Sequence, residues 1–282
     1  MRVSAHRFWP AVVAVLLGLA PVAAAADDSL LLATTTSVRD SGLLDALLPA
    51  FRERSGIRVQ VVAVGTGAAL RMGAEGNADV LLTHAPTSEA ELVATGAVVD
   101  RRPFMQNHFV LAGPAADPAA VREAETPEAA LQRIAALPAA FVSRADDSGT
   151  HKREVALLRA AGLPEAGGWE GFAKTGTGMG LTLQVAGERG AYVLSDIGTF
   201  LAFRERTELV VLSRPADSLR NVYSVLRVNP ERFSRVNARG ARALEEFLLE
   251  EAVRERIADF GRERFGRPLF VPLQPAVAET RD

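Results

Sequence analysis

Three short stretches of the chain carry groups able to hold an anion. Thr34-Thr35-Thr36-Ser37 sets hydroxyls side by side, Gly65-Thr66-Gly67 places a hydroxyl between glycines, and Ser143-Arg144-Ala145-Asp146-Asp147-Ser148-Gly149-Thr150 adds a guanidinium. Hydroxyls, backbone N–H groups and Arg donate hydrogen bonds, which is what a fully deprotonated oxyanion needs. Each residue also has a plainer use. Thr36 or Ser37 suits a helix N-cap, Gly65-Thr66-Gly67 suits a turn, and Arg144 has Asp146 and Asp147 beside it as salt-bridge partners. One cap needs one hydroxyl, however, and the same chemistry recurs three times. The candidate ligand-binding residues are therefore Thr34, Thr35, Thr36, Ser37, Thr66, Gly67, Arg144, Ser148, Gly149 and Thr150.

The elements that must position these stretches follow from hydrophobic periodicity. Residues 30–33 read as a strand and 42–54 as a helix with apolar Leu43, Leu44, Leu47, Leu48 and Phe51 on one face. Residues 57–64 are a β-branched strand, 68–75 a helix, 80–83 a strand, 89–95 a helix ended by Gly96, and 109–114 a strand closed by Gly113-Pro114. A second unit then opens, with helices at 127–136 and 150–160 and strands at 140–143, 191–195 and 209–212. Residues 221–230 form a long strand, followed by helices at 235–250 and 252–260. Such alternation predicts a mostly parallel sheet covered by helices. All three donor stretches fall where a strand hands over to a helix, the end of an open α/β sheet at which ligands bind and helix N-termini expose unpaired N–H groups. The long strands flanking the middle unit imply that the chain leaves one lobe and later returns to it, with a cleft between the lobes that closes by hinge motion.

Other chemistries are poorly supported. Ser148, His151 and Asp146 contain the residue types of a hydrolase triad but no Gly-x-Ser-x-Gly elbow. In Gly171-Phe172-Ala173-Lys174-Thr175, Ala173 replaces the glycine a phosphate loop requires before its lysine. His6, His84, His108 and His151 are too scattered for a metal motif and read as surface or hydrogen-bonded histidines. Gly176-Thr177-Gly178-Met179-Gly180 fits a hinge loop and a simple turn equally well.

The beginning of the chain predicts export. Arg2 and Arg7, an apolar run at 11–20 and Ala24-Ala25-Ala26 have the order of a cleavable secretory signal over 1–26, and the run is short for a membrane span. With no cysteine, there is neither a disulfide framework nor a lipid-anchored terminus, so the expectation is a freely diffusing periplasmic protein. The net charge of −2 becomes about −4 once Arg2 and Arg7 are removed, which disfavours a nucleic-acid partner.

In order along the chain, Ala33–Ser37 with Asp40-Ser41-Gly42-Leu43-Leu44, Gly65-Thr66-Gly67 with 77–86, 143–152, Gly178-Met179-Gly180-Leu181-Thr182-Leu183, 192–200 and 221–230 resemble the tungstate-binding periplasmic component of an ABC uptake transporter. The resemblance covers nearly the whole mature chain. It implies an α/β, two-lobed type II periplasmic binding protein fold with a ligand cleft between lobes joined by two crossover strands, lobe 1 comprising 27–110 and 221–282 and lobe 2 comprising 111–220. It further implies tungstate, or else molybdate, bound as an oxyanion with no cofactor and no catalysis, and delivery by a monomer to an inner-membrane permease. Sulfate or phosphate is the alternative ligand. By position, the ligand threonines correspond to the 34–37 run, foremost Thr35, with Arg144 and Thr150 from the other lobe. The sequence departs from the family pattern at Ala68, where lysine is usual, at Gln106-Asn107-His108 in place of Tyr-Asn-Asp, and at Ile197 in place of the arginine of Asp-Arg-Gly.

Overall fold

A computed structural model describes residues 29–274 apart from Pro138, so the expected secretory segment lies outside the described residues. The chain runs through β1 (Ser29–Thr35), α1 (Thr36–Ser41), α2 (Leu43–Ser55), β2 (Arg58–Val64), α3 (Thr66–Ala74), β3 (Val80–Thr83), α4 (Pro86–Ala94) and the long β4 (Val98–Gly113). It continues through α5 (Pro127–Ala136), β5 (Phe141–Ser143), α6 (Gly149–Ala160), β6 (Phe172–Lys174), α7 (Met179–Glu188), β7 (Tyr192–Asp196), α8 (Ile197–Phe203) and β8 (Val210–Val211). The returning β9 (Arg220–Val228) leads to α9 (Ala238–Leu249), α10 (Glu251–Asp259), α11 (Arg262–Phe265) and β10 (Val271–Pro272).

The strands pair in the order β2-β1-β3-β9-β4-β7-β5-β6. β1 lies parallel to β2 and β3, with Thr35 opposite Val64 and Thr34 opposite Leu82, so the three strands end together. β5 is likewise parallel to β6 and β7. The expected mostly parallel sheet is corrected in the middle, where β9 is antiparallel to β3 and β4, and β4 is antiparallel to β7. A chain that crosses to a second unit and later returns runs its two crossing strands in opposite directions, and side by side these pair antiparallel. β4 makes the crossing within one strand. His108 still pairs with Arg220, whereas the next residue, Phe109, pairs with Asp196.

Strand alternation sends successive side chains to opposite faces, and both faces are covered. In the first unit Leu30 and Leu32 join Leu47, Phe51, Leu244 and Phe247, while Ala33 turns to the opposite face with Leu70, Leu81 and Leu226. In the second, Phe109 and Leu111 pack with Phe141 and Leu158, and Val110 and Ala112 with Val142 and Leu183. The helix expected over 42–54 is present as α2, and a short additional helix, α1, precedes it where the sequence predicts only a loop. Gly42 sits at φ +79°, caps α1 with its N–H on Arg39 and starts α2, a conformation that suits glycine. β4 also begins well before residue 109. Its first half carries Arg101 and Arg102, has register shifts beside both Arg102 and Pro103, and pairs Arg101 with buried Glu89 at 2.7 Å, none of which gives a strand-like alternation. No helix among the described residues is long and apolar enough to cross a membrane.

Candidate anion site

The common ending of β1, β2 and β3 brings the first two donor stretches together. Thr35 is the N-cap of α1, its Oγ1 accepting from the Val38 N–H at 3.4 Å and lying 3.1 Å from Ser37 Oγ. Thr34 is buried and donates to the Leu82 carbonyl at 2.8 Å, so its hydroxyl serves the sheet; among the hydroxyls expected to reach a ligand, this one is committed elsewhere. Thr36 is half-buried as the first residue of α1. Thr66 opens α3, fully buried, and its Oγ1 has no hydrogen-bond partner among the described residues.

The third stretch approaches from the other unit. Ser148 caps α6 by accepting the His151 N–H at 3.2 Å, which leaves its hydroxyl hydrogen unassigned. Thr150, in the first turn of α6, is fully buried, and its Oγ1 also has no partner among the described residues. Arg144 is almost wholly buried, donating from Nη2 to Asp146 at 2.5 Å and from Nε to the Thr177 carbonyl at 3.4 Å. The salt-bridge reading of Arg144 thus holds without exhausting its five N–H groups. Ala145 and Asp147 take positive φ, +48° and +58°, and this winding turns the Asp146 carboxylate back to Arg144 and to the Ser148 N–H. Gly176-Thr177-Gly178 holds the same loop from behind, with Gly176 N–H on the Arg144 carbonyl at 2.8 Å and Thr175 N–H on Ser143 at 3.0 Å.

The stretches touch across the cleft. A Cβ on Gly67 would lie 2.2 Å from Asp147 Oδ2, and a Cβ on Gly149 would lie 2.4 Å from His84 Cε1. A Cβ on Gly65 would sit 3.9 Å from the Asp146 carbonyl. The candidates from the two units therefore meet in one place, with the N-terminal turns of α3 and α6 both present.

Beneath them lies a buried polar network that the periodicity of the sequence did not reveal. His84 Nδ1 is 2.9 Å from Asn221 Oδ1, and its Nε2 is 3.3 Å from Ser37 Oγ. The Asn221 amide donates to Asn107 Oδ1 at 2.8 Å and to the Tyr223 hydroxyl at 2.9 Å. With the Asn221 nitrogen so occupied, its oxygen accepts from His84 Nδ1–H, leaving Nε2 to accept from Ser37. Burial drives the His84 imidazole down to about 4, with the Asn221 contact opposing and the Arg144 and Arg153 charges adding to the fall, so the ring is neutral near pH 7. Burial also pushes the Asp196 carboxyl and the Tyr223 hydroxyl upward. The available signal was the presence of Asn107, Asn221 and Tyr223 on the two crossing strands, where a purely structural interior prefers apolar side chains. His84 was expected to be a surface or hydrogen-bonded histidine, and it is hydrogen-bonded and buried.

The hydrolase arrangement is not assembled. Ser148 Oγ faces the His151 backbone, the His151 ring accepts from the Asp147 N–H at 3.1 Å, and Asp146 is engaged with Arg144 and the Ser148 N–H. The suspected phosphate loop at 171–175 is largely the strand β6. Among the described residues no group of three or more His, Asp or Glu side chains could hold a metal ion.

A family model described as a PBP superfamily domain matches residues 20–252. The chain belongs to the PBP superfamily. Among PBP relatives, it is 44% identical over 250 residues to the tungstate-binding protein TupA of Peptoclostridium acidaminophilum, covering 88% of this chain and 86% of that one. It also superimposes on the tungstate-binding protein TupA from Desulfovibrio alaskensis G20 with TM-score 0.76 and 40% identity, covering 87% of this chain and 99% of that one. A chain described as the tungstate ABC transporter from Geobacter sulfurreducens matches with TM-score 0.75 and 40% identity, over 83% and 99% of the respective chains. The fold is accordingly the two-lobed type II arrangement of PBP proteins, with β4 and β9 as its crossing strands.

Proposed function

We propose that this chain is the periplasmic solute-binding component of an ABC uptake transporter, binding tungstate, with molybdate second, and delivering it to a permease in the inner membrane. The observation that carries the reading is the pair of buried hydroxyls with no hydrogen-bond partner among the described residues, Thr66 and Thr150, at the N-terminal turns of helices from opposite lobes. A buried hydroxyl left unpaired costs about 1–3 kcal/mol, and a dianion seated between the two turns removes that cost while meeting both helix dipoles. The names of the relatives point to the same ligand.

In this reading Thr35, Thr66, Arg144 and Thr150 are the principal side-chain contacts. Thr36, Ser37, Gly67, Ser148 and Gly149 contribute N–H groups or hydroxyls, and Thr34 holds β1 against β3 behind them. The lobes are 27–110 with 221–282, and 111–220; the change of partner strand at His108 and Phe109 supports a boundary close to residue 110. Tungstate is ligand and cargo, and no cofactor takes part. The chain acts as a monomer, exported by the 1–26 signal.

Phosphate brings a proton that needs an acceptor, which tungstate does not; the nearby carboxylates already have other partners, Asp146 accepting from Arg144 and the Ser148 N–H and the exposed Asp147 from Lys152 at 2.6 Å, so the reading places tungstate first. Thermal unfolding of the mature chain tests the proposal. A ligand at 1,000 times its Kd adds about 4 kcal/mol to stability, so tungstate should raise Tm by several degrees. A rise with sulfate and none with tungstate would overturn the ligand assignment.

A further inference from the structure

His84 stands at the only point in the described residues where a side chain of one lobe bonds an anion-loop hydroxyl, bonds a crossing strand and also fills the space beside a glycine of the opposite lobe. Its Nε2 is 3.3 Å from Ser37 Oγ, its Nδ1 is 2.9 Å from Asn221 Oδ1, and its Cε1 edge takes the place that a Cβ of Gly149 would need. The ring is 4% exposed and stacks at 4.8 Å on Tyr223 of β9. Two hydrogen bonds and a ring contact fix it, so it cannot swing aside to admit a methyl group. The opposite contact, Asp147 on Gly67, differs in this respect, because the Asp147 side chain is 61% exposed and ends in a carboxylate that can move away.

We propose that His84 is a positioning residue for ligand binding, which couples closure of the lobes on Gly149 to the orientation of the Ser37 hydroxyl in the anion loop. This inference rests on the proposed oxyanion-binding function and adds to it a residue that touches no ligand. When the lobes close, Gly149 seats against the imidazole. That contact holds the ring on Ser37, which in turn lies 3.1 Å from Thr35, the foremost ligand threonine. Glycine is required at 149 because the imidazole occupies its side-chain space.

The test is a size exchange read by calorimetry with tungstate on the mature chain. His84→Ala should weaken binding about tenfold and Gly149→Ala by more, each with the circular dichroism of the wild type. The double variant should bind more tightly than Gly149→Ala alone, because the space left by the imidazole accepts the methyl. X-ray scattering should show tungstate compacting the wild type and the double variant but not Gly149→Ala. If His84→Ala does not fold, His84→Ser, which also vacates the ring space, takes its place in both measurements. Wild-type affinity in the His84 variant, or a double variant weakened by the product of the two single effects, overturns the inference. A wild type that ignores tungstate overturns the functional reading instead, and the coupling is then decided by the nuclear Overhauser contact between His84 Hε1 and Gly149 Hα, whose absence overturns it independently.

Discussion

Thr66 and Thr150 offer a way to separate ligand contacts from structural ones at the scale of single residues. A buried hydroxyl with no protein partner among the described residues adds no hydrogen bond to the fold, so replacing it with an isosteric methyl should be neutral or stabilising. Thr66→Val and Thr150→Val should therefore hold or raise Tm while weakening tungstate binding by about tenfold each, a hydrogen bond to a charged group contributing about 1.5–3 kcal/mol. A variant that loses stability with unchanged affinity would place that hydroxyl outside the site. Arg144 presents the opposite balance. Its removal strands the Asp146 carboxylate as well as the ligand, so Arg144→Ala should lower affinity by about a hundredfold or more, and Arg144→Lys should recover little because a point charge does not reproduce the guanidinium fork. Equal calorimetric affinities for wild type and Arg144→Ala would remove Arg144 from the site.

At the scale of elements, α6 does more than present its N-terminus. Glu154, one turn into the helix, is buried against Ser143 and the Arg144 backbone, and burial lifts its carboxyl to about 7. A carboxyl raised in the folded state retains a proton that the unfolded chain has already released, so stability falls as pH rises from about 4.5 to about 7. His84, beside Ala85 at the entry to α4, acts with the opposite sign. Its folded value of about 4 lies below 6.5, the unfolded chain binds the extra proton between them, and stability is lost as pH falls through that window. The two effects oppose each other over much of the same range. Chemical denaturation of Glu154→Gln should therefore expose a stability that climbs from pH 4 to 6.5, and this variant should exceed the wild type above pH 7; parallel curves for the two proteins would contradict the assignment. Elements of this kind were only partly legible beforehand. The helix at 127–136, the strand at 80–83 and the three strand-to-helix handovers follow from periodicity and caps, because each is a local pattern. The short helix α1 and the early start of β4 were not legible: α1 is about a turn and a half closed by the left-handed Gly42, and the first half of β4 has its charges satisfied from outside the strand, Arg101 by Glu89 and Asp100 by Arg227 of β9. The His84, Asn107, Asn221 and Tyr223 network was hidden for the same reason, its members being brought together only by the crossing strands.

At the scale of the whole molecule, the crossing of β4 and β9 is the feature on which function depends. The hydrophobic clusters divide at the switch between His108 and Phe109, except that Leu201 of α8 packs against a cluster of each unit, so closure of the kind proposed pivots on the crossing strands and leaves both cores in place. One departure from the family pattern lies at this junction: Gln106 accepts from both Nε and Nη2 of Arg220, at 3.1 and 2.8 Å, tying the crossing strands to each other, while Asn107, which the pattern shares, joins the network beneath the site. Arg153 of α6 adds a bond to the Arg220 carbonyl at 3.2 Å, so the helix that presents Thr150 is moored to the returning strand. In the proposed site, the close approaches at Gly67 and Gly149 bring the anion loops of the two units together, neutral donors with one guanidinium, beside the ion-paired carboxylates Asp146 and Asp147. Such a site favours an anion that brings two negative charges and no proton. Competition calorimetry of the mature chain near neutral pH, with phosphate displaced by tungstate and the reverse, measures this preference directly. The account predicts tight tungstate binding with phosphate at least a thousandfold weaker, a margin of about 4 kcal/mol; phosphate binding as tightly as tungstate would contradict it.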